Sequence, residues 1–349
     1  MIAAEHWRAD AATGLPLYAI PDDRLTERYD PRMRELIRRH NPDRSARLAL
    51  VAAAEAIDAA GWRDRAFSIL VGSSRGPTGS WEHAHTAYAA GEALAPSTSP
   101  RTTLGSTGFT LAEYFGNVPL SDGLSVTCSS GFHALLHGVA LLRASMVERV
   151  LVGGAEAPLT PFTLRQMAAL GVYAQPPERA DQPACHPFAT PATGMALGEG
   201  AGFLALELAT DDDRPQIIGL GFARETGRGR TGVSRTGLAF QAAMRGALST
   251  SDLRPTHLIP HAPGTRKGDA AERAALLALF PDPHTLPTKT YKSTTGHTFG
   301  ASGPIALIQA LRDPTLPTPF LVNATGFGGN VITALIHTPD CGLRSSPLA

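Results

Sequence analysis

Four short segments of this 349-residue chain carry residues that could do chemistry. The first is Ser125-Val126-Thr127-Cys128-Ser129-Ser130-Gly131, where Cys128 sits among small residues. The second is His261-Ala262-Pro263-Gly264-Thr265, followed by Asp269 and Glu272. The third is Lys292-Ser293-Thr294-Thr295-Gly296-His297, and the fourth is the turn Gly326-Phe327-Gly328-Gly329. A thiol, two imidazoles, an ammonium and a turn rich in free backbone N–H groups form a coherent set. It suits acyl transfer through a thioester, with the oxyanion held by backbone amides. Taken singly, each has a plain structural role as well. Cys128 can be a small buried hydrophobe, His261 and His297 can cap turns, Lys292 can be a surface charge, and the glycines can close a hairpin.

The elements that must position these residues follow from the apolar pattern. Leu120–Val126 is short and partly apolar, and Ala134, Leu135, Gly138, Val139, Leu141 and Leu142 recur at helical spacing. Cys128 is therefore expected where a strand closes at Ser125–Thr127 and a helix begins, running to about Met146. Free N–H groups and the positive helix end there favour a thiolate. A helix is expected from Leu36 to Ala60, with strands at Phe67–Val71, Arg149–Val152 and Phe203–Leu208. The second half repeats the order: strand Gln216–Phe222, helix Leu238–Leu248, strand His257–Ile259, then a helix from about Asp269 to Leu279. Lys292–His297 leads into a Gly/Ala-rich helix to Leu311, and strands Phe320–Asn323 and Val331–His337 close the chain. Strand–helix alternation in two halves implies α/β class, a duplicated α-β-α-β-α layering. The boundary is placed at Asp211-Asp212-Asp213, giving residues 1–210 with the cysteine and 211–349 with both histidines and the glycine turn. In such sheets, sites gather at strand ends.

Bulk composition narrows the classes. Lys+Arg and Asp+Glu both number 31, for a formal charge of zero, which gives no electrostatic footprint for nucleic acid or an anionic membrane. No apolar run reaches the ~18 residues of a membrane span, and Met1–Asp10 has no signal-peptide core. Three cysteines, Cys128, Cys185 and Cys341, form neither a disulfide framework nor a zinc site. These points lead to the expectation of a cytoplasmic, soluble protein with no metal. Glycine, at 35 of 349 residues, exceeds the roughly 7% of average usage, so tight turns and close backbone approaches are expected.

The segments resemble those of the β-ketoacyl-[acyl-carrier-protein] synthases, the thiolase-fold condensing enzymes. Thr127-Cys128-Ser129-Ser130 resembles the family's cysteine motif. His261–Thr265 with Gly268-Asp269 and Glu272 resembles its first histidine motif, and Lys292–His297 fits KSxxGH in residue type and spacing. Asn323 with Gly326-Phe327-Gly328-Gly329-Asn330 resembles its terminal turn, and Gly198-Glu199-Gly200-Ala201-Gly202 resembles its GEGAG strand entry. The resemblance runs in family order from about Ala46 to His337.

That resemblance implies decarboxylative Claisen condensation, in fatty acid or specialised polyketide or aryl-polyene-type synthesis. Cys128 would take an acyl chain from an acyl carrier protein, and malonyl carrier protein would follow. His261 and His297 would polarise the malonyl thioester, with the N–H groups of Cys128 and Phe327 as oxyanion hole and Phe327 as gate. Lys292 would orient His297 or the carboxylates, paired with Glu272; Asp269, Gly326 and Gly328 would support the site. No bound cofactor is implied, since the substrates ride on the carrier protein's phosphopantetheine. The family also implies dimerisation, as a homodimer or with another synthase-fold subunit, through about Arg149–Val152.

Departures from the pattern are plain. The usual opening strand is not evident in Met1–Asp30: either the start is trimmed or this is a reduced member, and loss of a central strand would expose a sheet edge and favour a covering partner. Ala189 and Thr193 stand where the family carries carboxylates, and Ala262-Pro263 replaces Gly-Thr. Two other roles stay open: a non-catalytic partner resembling a chain-length factor, or a Cys-dependent acyltransferase or hydrolase. Weaker signals include Gly72-Ser73-Ser74-Arg75-Gly76, which fits the hydrolase elbow G-x-S-x-G but continues into Pro77 and Gly79, where that fold needs a helix. Gly227-Arg228-Gly229-Arg230-Thr231-Gly232 reads as a surface loop whose arginines would suit an acidic carrier. His133 and His137, four apart on the helix after Cys128, read as a packed pair.

Overall fold

Strand-forming apolar runs and capped helices alternate along the chain, and the computed structural model describes them over residues 1–179, 181–210, 214–226, 233–282 and 286–339. The strands are β1 (Ile2–Ala3), β2 (Arg8–Ala9), β3 (Pro16–Tyr18), β4 (Ser68–Gly72), β5 (Ser121–Leu124), β6 (Arg149–Glu156), β7 (Leu197–Gly198), β8 (Gly200–Glu207), β9 (Gln216–Arg224), β10 (His257–Ile259), β11 (Phe320–Thr325) and β12 (Asn330–His337). The helices are α1 (Asp22–Thr26), α2 (Pro31–His40), α3 (Arg44–Ala60), α4 (Thr78–Ala89), α5 (Thr98–Thr102), α6 (Ser106–Phe115), α7 (Ser130–Arg143), α8 (Pro161–Ala169), α9 (Leu238–Leu248), α10 (Arg266–Leu279), α11 (Lys292–Thr295) and α12 (Ser302–Arg312). The expectations at Asp211–Asp213, Gly227–Gly232 and Cys341 lie outside the described residues.

Two mixed sheets share one design. The first has the order β1-β8-β6-β4-β5, with β5, β4 and β6 parallel and β8 antiparallel to both β6 and β1. The second has the order β10-β11-β12-β9, with β10 and β11 parallel and β12 antiparallel to both its neighbours. Thr288 adds a parallel bridge to Leu258 at the outer side of β10. Counted within each half, the third, second, fourth, fifth and first strands lie side by side in both sheets. The chain is duplicated in topology, as the element order implies.

Packing gives the layers. Phe132, Leu135 and Leu142 of α7 and Leu307 and Ala310 of α12 fill one buried cluster with Leu70, Val150 and Val152 of the first sheet and Phe320, Val322 and Ile332 of the second. α3 covers the outer face of the first sheet through Leu48, Leu50 and Ile57. α9 and α10 cover the outer face of the second through Phe240, Met244 and Ala275. Across the first sheet, Glu199 is nearly fully buried and accepts the N–H of Ile20 at 2.8 Å and the Arg44 guanidinium at 2.7 and 2.8 Å. No described helix is long and apolar enough to cross a membrane.

Several expected elements differ. Leu36–Ala60 is two helices, because Asn41 takes φ 44° and Pro42 follows it, while Asp43 starts α3 by accepting the N–H of Ser45 at 2.9 Å. The strand before Cys128 ends at Leu124, and Thr127 adopts φ 50°. Lys292–Thr295 is itself a short helix, α11, and the helix expected after His297 opens with a 3-10 turn over Phe299–Ala301 before α12. A helix does follow Pro77, since α4 begins at Thr78. The expected missing central strand is an edge position: Ile2–Ala3 pairs with Ala201 and Gly200 at the margin of the sheet. Arg149–Val152 cannot serve as a dimer edge, because β6 is flanked on both sides by β8 and β4. The two edges of the first sheet among the described residues are the two-residue β1 and the longer β5.

Candidate active site

Cys128 lies two residues before α7 in a turn made by hydroxyls. Ser129 Oγ donates to Val126 O at 2.8 Å, Ser130 Oγ donates to Thr127 O at 2.6 Å, and Ser130 Oγ accepts the Val126 N–H at 2.9 Å. These small side chains hold Thr127 in the left-handed region, a conformation costing on the order of 1–3 kcal/mol. Thr127 Oγ1 then donates to Phe327 O at 3.0 Å, tying the cysteine turn to the glycine turn of the β11–β12 hairpin. A Cβ on Gly326 would strike Thr127 Oγ1 and stand 2.7 Å from Cys128 N, so only glycine admits this approach. Gly328, at φ 87°, continues the turn, and Phe327 is 42% exposed beside it.

The two histidines come from loops of the second half, His261 after β10 and His297 after α11, where its backbone bridges Leu197 of β7. His261 follows β10, and its N–H and that of Ala262 donate to Glu272 Oε1 and Oε2 at 2.9 and 2.8 Å. Asn323 Nδ2 donates to the same carboxyl at 2.9 Å, and Thr333 Oγ1 donates to Asn323 Oδ1 at 2.6 Å. Asp269 accepts the N–H groups of Gly264 at 3.1 Å and Phe188 at 2.8 Å, which pins the loop before β7 to the His261 loop. In that loop Thr193 Oγ1 accepts the His186 N–H at 2.9 Å, so a hydroxyl serves where the resembled pattern has a carboxylate. His297 donates its N–H to Ala196 O at 2.7 Å, which sets the ring beside His261 with centroids 5.3 Å apart at 85°.

Tautomers follow from the partners. His261 Nδ1 accepts the Thr325 N–H at 3.3 Å, so the neutral ring carries its proton on Nε2. Ser302 Oγ accepts the Thr298 N–H at 3.0 Å and lies 3.2 Å from both His297 Nδ1 and Thr298 Oγ1; with Thr298 Oγ1 donating to it, the Ser302 hydroxyl turns to Nδ1 and the His297 proton sits on Nε2. Burial and the Lys292 charge hold His261 well below the usual histidine range and His297 down to about 3. Both are neutral donors at physiological pH.

Lys292 is buried at the start of α11, and burial lowers its ammonium against the pull of Glu272 and Asp269. The expected Lys292–Glu272 pair is not formed within 4 Å, because both oxygens of Glu272 are taken by His261, Ala262 and Asn323. The expected thiolate is not the resting form either. Burial, reinforced by Glu156, pushes the Cys128 thiol up to about 12, outweighing Lys292, its own backbone N–H and Arg75.

Glu156 and Arg75 escaped the sequence reading. Glu156 ends β6 fully buried; its Oε1 accepts the N–H groups of Ser74 and, at 3.1 Å, Gly300, the Ser73 hydroxyl also favours its charged form, and Oε2 meets no hydrogen-bond criterion among the described residues. Burial raises it to about 8. The signal was a lone carboxylate closing the apolar run Val150–Ala155. His133 and His137 pack edge to face with centroids 6.3 Å apart. Among the described residues, no cluster of three or more His, Cys, Asp or Glu is placed to hold a metal.

Residues 19–212 match the family described as beta-ketoacyl synthase, N-terminal domain, and residues 216–318 match its C-terminal domain. The chain belongs to the beta-ketoacyl synthase family. It is 27% identical over 351 residues to nodulation protein E of Rhizobium leguminosarum bv. trifolii, covering 91% of this chain and 79% of that protein. It is 30% identical over 245 residues to a putative polyketide beta-ketoacyl synthase 1 of Streptomyces virginiae, covering 65% of this chain and 54% of the relative. Among solved structures, a beta-ketoacyl synthase from Burkholderia phymatum aligns with TM-score 0.79 at 19% identity, over 97% of this chain and 93% of that one. A ketosynthase in complex with its chain length factor from Xenorhabdus doucetiae aligns with TM-score 0.77 at 21% identity, over 96% and 90%. These likenesses establish the thiolase-type fold of this beta-ketoacyl synthase family member. The cysteine, histidine and glycine-turn segments of the synthase meet in one place, drawn from both sheets.

Proposed function

We propose that this synthase performs decarboxylative condensation with Cys128 as acyl carrier, on substrates held by an acyl carrier protein. The observation that carries the reading is a buried thiol whose turn is tied to the glycine turn through Thr127 Oγ1 and Phe327 O, together with two neutral imidazoles side by side. First, Cys128 Sγ attacks the acyl thioester; the C–S bond to phosphopantetheine breaks and the Cys128 proton leaves with that sulfur. Next, the malonyl thioester carbonyl accepts from His261 and His297, and the carboxylate departs as CO2, leaving an enolate. Its carbon attacks the Cys128 thioester, whose oxyanion accepts the N–H groups of Cys128 and Phe327. The C–S bond breaks, the β-ketoacyl chain stays on the carrier, and the Cys128 thiolate takes up a proton from solvent. Lys292 acts as a fixed charge keeping both histidines neutral.

A partner subunit fits the open edge. β5 exposes unpaired backbone, and Leu104 and Phe109 beside it are 51% and 54% exposed. A second synthase-fold chain, either another copy or a companion subunit, is read to extend the sheet there. Retention of Cys128, His261 and His297 favours the catalytic over the companion role. Incubation with acyl and malonyl carrier protein tests the reading: acyl-Cys128 by intact mass, CO2 and a β-ketoacyl product support it. Absence of both the adduct and the product defeats it.

A further inference from the structure

Arg75 is an unusual residue to find beside a thiol that carries an acyl chain. It lies in the loop after β4, with its guanidinium carbon 5.8 Å from the centre of the Phe299 ring. Phe299 in turn stands 5.4 Å from the His297 ring. Phe299, Leu164 and Met167 share one buried apolar cluster with Cys128. Arg75 Nη2 donates to Gln166 Oε1, between Leu164 and Met167 on α8. The guanidinium is thus pinned against the apolar cluster that contains Cys128, over the Phe299 ring on one side and against an amide on the other.

Arg75 forms no ion pair among the described residues, and its Nε is buried with no acceptor there. Glu156 senses the Arg75 charge, but its bound oxygen is occupied by the N–H groups of Ser74 and Gly300. The thiol senses it too, since Arg75 is among the groups that favour the Cys128 thiolate. An alkyl chain laid against this guanidinium would strip water from it and offer no hydrogen-bond acceptor in return. A carboxylate would meet a planar fork matched to it.

We propose that the acyl group carried by Cys128 is short and ends in an anionic, carboxylate-type group that is received by Arg75. The inference rests on Cys128 being the acyl carrier. The competing anion is the carboxylate of the malonyl unit, which is lost in the reaction, and the test separates the two.

The full chain is incubated with phosphopantetheine thioesters of acetate, octanoate, glutarate and glutarate monomethyl ester, and acylation of Cys128 is followed by intact mass. The half-acid is expected to acylate at least tenfold faster than its methyl ester. R75M is expected to abolish that preference and to accelerate the octanoyl donor, while Arg75→Lys keeps part of it. Thermal unfolding and iodoacetamide labelling confirm that each variant is folded with Cys128 open; if R75M does not fold, Arg75→Gln is read in its place. Equal rates for half-acid, ester and octanoate overturn the proposal, as does an unchanged preference in R75M. An R75M defect confined to malonyl decarboxylation also overturns it and assigns Arg75 to the extender. No acylation by any donor, with Cys128 still alkylated, refutes the acyl-carrier role itself and the proposal with it.

Discussion

His261 and His297 stand edge to face, 5.3 Å between ring centres, though they lie on separate Gly-punctuated loops of the second half. Among the described residues, no carboxylate forms an ion pair with either ring. Each Nδ1 is engaged by a fixed group, Thr325 N–H in one case and Ser302 Oγ in the other, so both Nε2–H groups are free to donate.

Replacing either histidine by alanine removes one donor to the developing enolate. H261A and H297A are each expected to lower malonyl decarboxylation and condensation by about 10²–10³-fold, the usual worth of one preorganised donor. Acylation of Cys128, measured by mass, should persist in both. A variant that loses acylation and keeps decarboxylation would reverse the assigned roles.

The resting thiol has a pH signature. With Cys128 pushed up to about 12 by burial and Glu156, iodoacetamide labelling of this residue should be slow at neutral pH and should still be climbing above pH 9. A labelling rate that levels off near pH 7 would mean the helix end outweighs burial.

Glu156 links stability to pH in the opposite sense to a salt-bridged carboxylate. Its folded value, about 8, lies above its unfolded one, so its contribution is whole below the ordinary carboxylate value of 4.5 and is lost as pH rises through about 8. Glu156→Gln keeps an acceptor for Ser74 and Gly300 without the charge. Its denaturation midpoint should fall less than wild type's between pH 5 and pH 8, as read by urea titration. Parallel curves would exclude Glu156 as the source.

Gly326→Ala drives a methyl group into Thr127 Oγ1 and toward Cys128 N. The fold should lose about 1–3 kcal/mol, the ordinary range for overpacking, and acylation should drop because the oxyanion amides move apart. Full acylation at unchanged stability would show that the two turns do not need this contact.

Breaking the Arg44–Glu199 pair tests the brace between α3 and β8. Glu199 keeps only 3% of its side chain exposed and Arg44 32%, so Arg44→Met strands a buried carboxylate. The expected cost is about 3 kcal/mol, the low end for a broken buried pair. The double variant with Glu199→Met should recover most of it.

The residues that could be read in the sequence are those whose geometry is local. Lys292–His297 and Gly326–Gly329 are contiguous runs, so type and spacing alone place an imidazole after a helical turn and glycines in a hairpin. The duplicated layering was also legible, because strand and helix order repeats. What escaped depends on distant partners. Glu156 and Ser74 are 82 residues apart, and nothing local announces their bond. Arg149–Val152 looks like any apolar strand until β4 and β8 occupy its two sides. The thiol's state was misjudged for the same reason: the helix end is visible in sequence, and the burial that outweighs it is not. The break at Asn41-Pro42 was masked by apolar spacing that continues across it.

The central claim is that Cys128 carries the acyl group during carbon–carbon bond formation. The most direct measurement is intact-mass analysis of wild type and Cys128→Ala after incubation with acyl carrier protein donors, alongside capture of CO2 and product from malonyl carrier protein. Wild type should show one acyl adduct at Cys128 and release a β-ketoacyl product. C128A should show no adduct and no product, while retaining slow malonyl decarboxylation through His261 and His297. Product formed by C128A, or a wild-type adduct on any other residue, would contradict the claim.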